Sequence, residues 1–291
     1  MRSAALRHTG LQLPVAEETN IIFKALNHMT VARMGYAQLL DTAAALGCVG
    51  VELRNDLPQP LFDGMDPAQA GDMARAAGLR ILALAEVKRF NDWSPTKAAE
   101  ALALMKIAVA CGAEAISLIP RNDNLGMGHG DRQRNLRLAL HDLAPMLQDH
   151  GLVGLVEPLG FETCALRLKS EAVEAFEALN TPCFKLVHDT FHHHLGGDPA
   201  LFAAHTGMVH ISGVTDANVS PAQMTDAHRV LVDAADRLGN LAQISALQAA
   251  GYAGPVSFEC FAPQVHALAD PARAIAAAFD FIATGLTVQA A

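Results

Sequence analysis

Apolar residues recur along this chain with two alternating rhythms. In RNLRLALHDLAPMLQDHG, Leu136, Leu140, Leu143 and Leu147 fall three or four residues apart, one apolar stripe along a helix. Between such segments lie short, nearly continuous apolar runs such as RILAL and LVGLV, the pattern of parallel strands covered on both faces. A glycine marks the passage from helix to strand in ALGCVGVEL, AAGLRILAL, ACGAEAISL, DHGLVGLVE and AAGYAGPVSFE, where a helix closes through a left-handed residue. Asp66-Pro67 and Ser94-Pro95 read as N-cap plus first-turn proline, and Pro145 falls late in its helix, where it predicts a bend.

This punctuation predicts strands over 21–26, 49–53, 80–85, 114–119, 152–157, 184–189, 207–211 and 255–260. Helices are predicted over 36–46, 67–77, 96–111, 132–149, 170–179, 198–205, 240–250 and 270–284. Eight β/α pairs without a composition break predict a single (β/α)8 TIM barrel over 20–291, preceded by a short N-terminal arm, 1–19.

Composition narrows the function. The formal net charge of −9 argues against a nucleic-acid partner, which requires a basic face. The five cysteines, Cys48, Cys111, Cys164, Cys183 and Cys260, form no C-x-x-C pair and are expected to be buried thiols in a reducing compartment. The N-terminus lacks the apolar stretch of a signal peptide, and no run reaches the ~18–20 apolar residues of a membrane span. The expectation is a cytoplasmic protein without a membrane partner, and the charge leaves neutral small molecules and cations open as ligands. A homo-oligomer is left open.

In such a barrel the C-terminal strand ends converge on one mouth. Strand 5 ends at Glu157, strand 6 at Asp189, strand 7 at His210 and strand 8 at Glu259. Singly, each is ordinarily a cap, a surface charge or a satisfied core histidine. Together, three carboxylates at one depth repel, and a divalent cation resolves the conflict. Oxygen-rich ligation with one imidazole suits Mn²⁺, Zn²⁺, Co²⁺ or Mg²⁺. His192 falls where a loop after strand 6 would turn over the pocket and meet substrate, whereas His188 should face the helices. Asn27, Glu52, Arg54, Glu86 and Lys88 lie at the ends of strands 1–3. They are candidates for binding substrate hydroxyls, Arg54 and Lys88 being equally readable as solvated rim charges.

NHMTVARMGYAQLLDTAAALGCVGVELR, VEPLGFETCALRLKSEAVEAFEAL, KLVHDTFHHHLGG, VHISGVTD and ISALQAAGYAGPVSFECF carry a resemblance to the xylose isomerase-like barrels of the sugar isomerase/epimerase superfamily. E-x-x-G-x-x-x-C at 157–164 and D-[ST]-F-H-x-H at 189–194 most resemble the 2-keto-myo-inositol isomerase (inosose isomerase) proteins. The resemblance implies that Glu157, Asp189, His210 and Glu259 bind the metal, that His192 meets a substrate oxygen, and that Arg229 is a substrate-pocket arginine after strand 7. Asp233-Ala234-Ala235 stands where relatives have a Gly-x-Gly turn, and Thr163 where related epimerases carry a polar residue. The implied substrate is a small polyol or ketose, and the implied reaction is isomerisation of an α-hydroxyketone through an enediol, with Glu157 and Glu259 as base and acid. Inosose dehydratase or ketose 3-epimerase chemistry on the same ligands is the alternative, and a non-catalytic metal- or sugar-binding barrel is the alternative of another class.

Overall fold

A computed structural model describes residues 22–290; the predicted arm, 1–19, lies outside the described residues. The strands are β1 (Phe23–Asn27), β2 (Gly50–Arg54), β3 (Arg80–Lys88), β4 (Ala115–Ile119), β5 (Val153–Val156), β6 (Phe184–Asp189), β7 (Thr206–Ile211) and β8 (Pro255–Phe258). They are all parallel and close into a barrel in sequence order. Around them run α1 (Tyr36–Ala45), α2 (Pro67–Ala76), α3 (Pro95–Cys111), α4 (His129–His150), α5 (Lys169–Leu179), α6 (Thr190–Gly196), α7 (Asn240–Ala249), α8 (Pro263–His266) and α9 (Pro271–Ala290). The chain is a single (β/α)8 TIM barrel.

Local chemistry explains the boundaries. The Asp66 carboxylate accepts from the amides of Ala68 and Gln69, and Ser94 accepts from that of Lys97, so both Asx/Ser-Pro pairs do open helices. Gly112 and Gly151 close α3 and α4 with φ of 73° and 65°, a backbone region that costs glycine no Cβ clash. Pro145 is accommodated inside α4, which runs on to His150.

Three expectations are corrected. The strand predicted over 80–85 extends to Lys88, so Glu86 and Lys88 lie within β3 rather than after it. No helix forms over 198–205 apart from a 3-10 turn at Ala203–His205. The helix instead begins directly after β6 because the Asp189 side chain accepts from the amides of Phe191 (2.8 Å) and His192 (3.0 Å), while Asp198 closes a local turn onto Ala200. His192 therefore sits on the first turn of α6, not in a loop. Lastly, α9 contains an 18-residue stretch, Pro271–Val288, apolar enough by length and composition to cross a membrane. Its Ile275, Phe279, Ile282 and Leu286 are buried with the barrel core.

Strand alternation sorts the side chains into two cores. Outward-facing Leu26, Val51, Ile81, Ile116, Val156, Leu186, Val209 and Phe258 join the helices in the large cluster. Inside the barrel, Ala25, Leu82, Ala83, Ala115, Leu155, Val187 and Met208 form a small apolar plug. Two residues further along four of these strands, on the same face, come Asn27, Glu157, Asp189 and His210. The plug is thus the floor on which a polar layer stands.

Candidate active site

The polar layer is where the strand-end residues meet. Glu157, Asp189, His210 and Glu259 are all buried, and each offers one ligand atom within 4.8 Å of the others. Asp189 and His210 are register partners on adjacent strands; Glu157 and Glu259 lie one residue past the ends of β5 and β8. The Nδ1 of His210 is 3.3 Å from Glu259 Oε2, 3.8 Å from Glu157 Oε1 and 4.0 Å from Asp189 Oδ2. Among the described residues this buried nitrogen has no hydrogen-bond partner. On the other side of the ring, Nε2 lies 2.9 Å from Glu52 Oε2.

The two glutamates are unlike. Glu259 Oε1 accepts from Arg54 Nη1 (2.7 Å) and Asn27 Nδ2 (3.2 Å), and its Oε2 accepts from Arg229 Nη2 (2.9 Å). Burial alone would raise its pKa, but His210 and the two guanidiniums hold it well below the usual carboxylate range. Glu157 has no guanidinium or amide donor among the described residues; its near neighbours are imidazoles, His210 and, at 3.9 Å, His192 Nε2. Burial and the Glu259 charge push its pKa up. Burial disfavours a charged His210, yet Glu52 and Glu259 hold its pKa well above the ordinary histidine value. A field that attracts a proton at this place attracts any cation.

Arg229, which is 0% exposed, is the largest fully buried side chain described. Its guanidinium lies over the rings of Phe191 and Phe261, 5.2 and 4.6 Å from their centroids. It donates to Asp189 and Glu259 through Nη2, to Ser212 through Nε and to Asp226 through Nη1. Arg54 is paired with Asp56 and Glu259, with Glu86 at 3.4 Å, so it is a buried member of the charge network and not a solvated rim charge. Lys88, 71% exposed at its side chain, is the rim charge.

Above the layer lies a cavity of about 390 Å³. Glu157, Glu259, Arg54, Arg229, Glu86 and His192 line it, with Leu159, Phe161 and Phe261 as apolar walls. Asn27 and Glu52, by contrast, do not line it: the Asn27 side chain is taken up by Glu259 and by the Met29 amide, and Glu52 by His210. His188 points outward as expected, accepting from Lys169 Nζ at 2.8 Å and bonding Gln243. All five cysteines are free and buried.

The residues suit a divalent ion. Four buried carboxylates (Glu52, Glu157, Asp189, Glu259) face two buried guanidiniums (Arg54, Arg229), an excess of two negative charges. An imidazole nitrogen without a hydrogen-bond partner among the described residues, His210 Nδ1, faces the same space. Oxygen donors with one imidazole fit Mn²⁺, Zn²⁺, Co²⁺ or Mg²⁺.

The fold and this layer define a (β/α)8 barrel with a four-residue acidic and histidine cluster at its mouth. A model of the xylose isomerase-like TIM barrel family matches residues 40–284, and the chain belongs to that family. Among solved structures it is similar to a xylose isomerase domain containing protein from Salmonella typhimurium LT2 (26% identity, TM-score 0.84, 91% of this chain and 97% of that one). It is also similar to the IOLI protein with a binding zinc atom (19%, TM-score 0.79, 92% and 99%). A third is D-psicose 3-epimerase from Clostridium cellulolyticum H10, with D-tagatose (16%, TM-score 0.69, 91% and 99%). No curated protein matches the sequence.

Proposed function

We propose that this protein is a divalent-metal-dependent isomerase of a sugar-like or cyclic α-hydroxyketone, of the inosose type, working by a 1,2-proton shift through an enediol. The observation that carries the reading is the asymmetry of the two glutamates in the ligand cluster, Glu157 and Glu259. Glu157, Asp189, His210 and Glu259 would hold the ion, and when bound it supplies the Lewis acidity that polarises the ketone and stabilises negative charge on the enediol oxygens. Glu157 takes the proton from the hydroxyl-bearing carbon beside the ketone and returns it to the former carbonyl carbon, while the hydroxyl proton crosses between the two oxygens. Of the two cluster glutamates, its carboxylate is the one with raised proton affinity. Glu259 stays ionised under Arg54, Arg229 and Asn27, so we assign it to ligation and charge balance. His192 and Glu86 on the cavity wall orient substrate hydroxyls, and Phe161 and Phe261 exclude water from the C–H face.

Inversion at carbon, as in a two-base epimerase, requires an acceptor on each face of the enediol. Of the two cluster glutamates only Glu157 is without a guanidinium or amide donor among the described residues, which favours carbonyl migration over inversion; water loss is the third outcome on the same ligands. Incubation of a panel of inososes and ketohexoses in D₂O with each metal, followed by product analysis, separates the three. Carbonyl migration with deuterium wash-in at the exchanged carbon is expected, with both abolished by Glu157→Gln. Exchange that persists in that variant rejects Glu157 as base, inversion or water loss rejects the isomerase, and no substrate-dependent exchange at all makes the chain a binding protein.

A further inference from the structure

Glu52 is a buried carboxylate that the proposed reaction leaves unused. It sits in the middle of β2, 1% exposed, and does not line the cavity. Its Oε2 meets His210 Nε2 at 2.9 Å across the barrel interior, β2 and β7 being separated by β1 and β8. Its Oε1 has no partner among the described residues. As a packing element this is a poor choice: a buried charge with one hydrogen bond costs more to desolvate than a neutral amide would.

A carboxylate does what an amide cannot. An ionised carboxylate only accepts, so the imidazole nitrogen facing it must carry the proton, and a neutral ring then has its lone pair on the other nitrogen. That other nitrogen is Nδ1, buried without a partner and facing the oxygens of Glu259, Glu157 and Asp189 at 3.3–4.0 Å. A glutamine could present either its oxygen or its NH₂ to Nε2 and would leave both tautomers open. We propose that Glu52 is the positioning residue of the metal centre: it fixes His210 in the Nε2–H tautomer and aims the Nδ1 lone pair at the ion. Ligating histidines are commonly oriented by an outer carboxylate in this way, and loss of that partner costs about 10–100-fold in metal affinity. The inference rests on the metal-site reading above.

The test uses Zn²⁺ and the full chain. Competition against a chromophoric chelator should show Glu52→Gln binding Zn²⁺ about 10–100-fold more weakly than the parent protein, with an unchanged far-UV circular dichroism spectrum. An affinity within about two-fold of the parent overturns the proposal. Imidazole ¹⁵N chemical shifts of His210 in the Zn²⁺-loaded parent give a readout that a merely structural role does not move, and they decide the matter if the variant does not fold. Protonated Nε2 with metal-bound Nδ1 supports the proposal, and the reverse assignment overturns it. A parent chain that binds no Zn²⁺ overturns the metal-site reading as well, whereas a parent that binds with an unaffected variant overturns only the role of Glu52.

Discussion

Asp189 serves two structural masters, and substitutions separate them. Its Oδ1 caps α6 through the amides of Phe191 and His192, while Oδ2 faces the cluster and Arg229. Asparagine retains an acceptor for the cap but loses the charge; alanine loses both. Asp189→Asn should therefore keep α6 and its neighbours in place while abolishing tight metal binding, and Asp189→Ala should in addition lose about 1 kcal/mol of capping. Chemical denaturation of the metal-free proteins together with metal titration checks both halves; equal metal affinity in Asp189→Asn and the parent would remove Asp189 from the ligand set. Arg54 gives the complementary case. Its removal leaves Glu259 Oε1 with Asn27 alone and worsens the charge imbalance. Breaking a buried pair in this way costs about 3–5 kcal/mol, so Arg54→Met should lower the metal-free melting temperature and enlarge the stabilisation on adding metal.

At the scale of elements, the segment after β5 is fitted against α6 with no room to spare. A Cβ at Gly160 would lie 2.2 Å from His192 O and 2.7 Å from Gly196 N, both backbone atoms that cannot swing aside. Gly160→Ala should cost about 1–3 kcal/mol and displace His192, so that KM rises along with the loss of stability; a variant with parent stability and kinetics would show that the two segments slide freely. Behind the site, Lys169 at the start of α5 donates to His188 of β6, whose Nε2 bonds Gln243 of α7, tying three elements together. Burial depresses the Lys169 pKa to about 7. With a folded pKa below the unfolded value, the unfolded chain binds more protons between these two pH values, and stability rises with pH across the window from about 7 to the ordinary lysine range near 10.4. The parent should thus gain stability relative to Lys169→Met as pH increases from 7 to 10, by an amount on the order of a few kcal/mol. A pH-independent difference would show that the amine stays charged.

For the whole molecule, an ion that binds only the folded barrel must stabilise it. At 100 times Kd the gain is about 2.7 kcal/mol, which for a domain of this size raises the melting temperature by roughly 5–10 °C. Differential scanning fluorimetry with Mn²⁺ or Zn²⁺ against EDTA measures this, and overlapping curves would mean that the two excess negative charges are neutralised by protons instead. The same scale shows how much was legible in the primary structure. Glu157, Asp189, His210 and Glu259 could be picked out because a parallel barrel puts every strand end at one mouth, and period-two alternation then carries Ala25, Leu155, Val187 and Met208 to a polar residue two places on. Glu52 could be seen only as one more polar residue at a strand end. Its partner lies 158 residues away and Arg54's lies 205 away, pairings that no local pattern encodes.

Hydrophobic periodicity, turn glycines and proline-led helix starts were enough to determine the barrel and the strand ends that meet, because those depend on local backbone preference and on which face must leave water. Which carboxylate remains free and which is held, where α6 begins, and why a charge is buried beneath His210 were decided by closure of the sheet. Only closure brings β2, β7 and β8 around one volume, where desolvation makes each charge depend on neighbours far away in the chain.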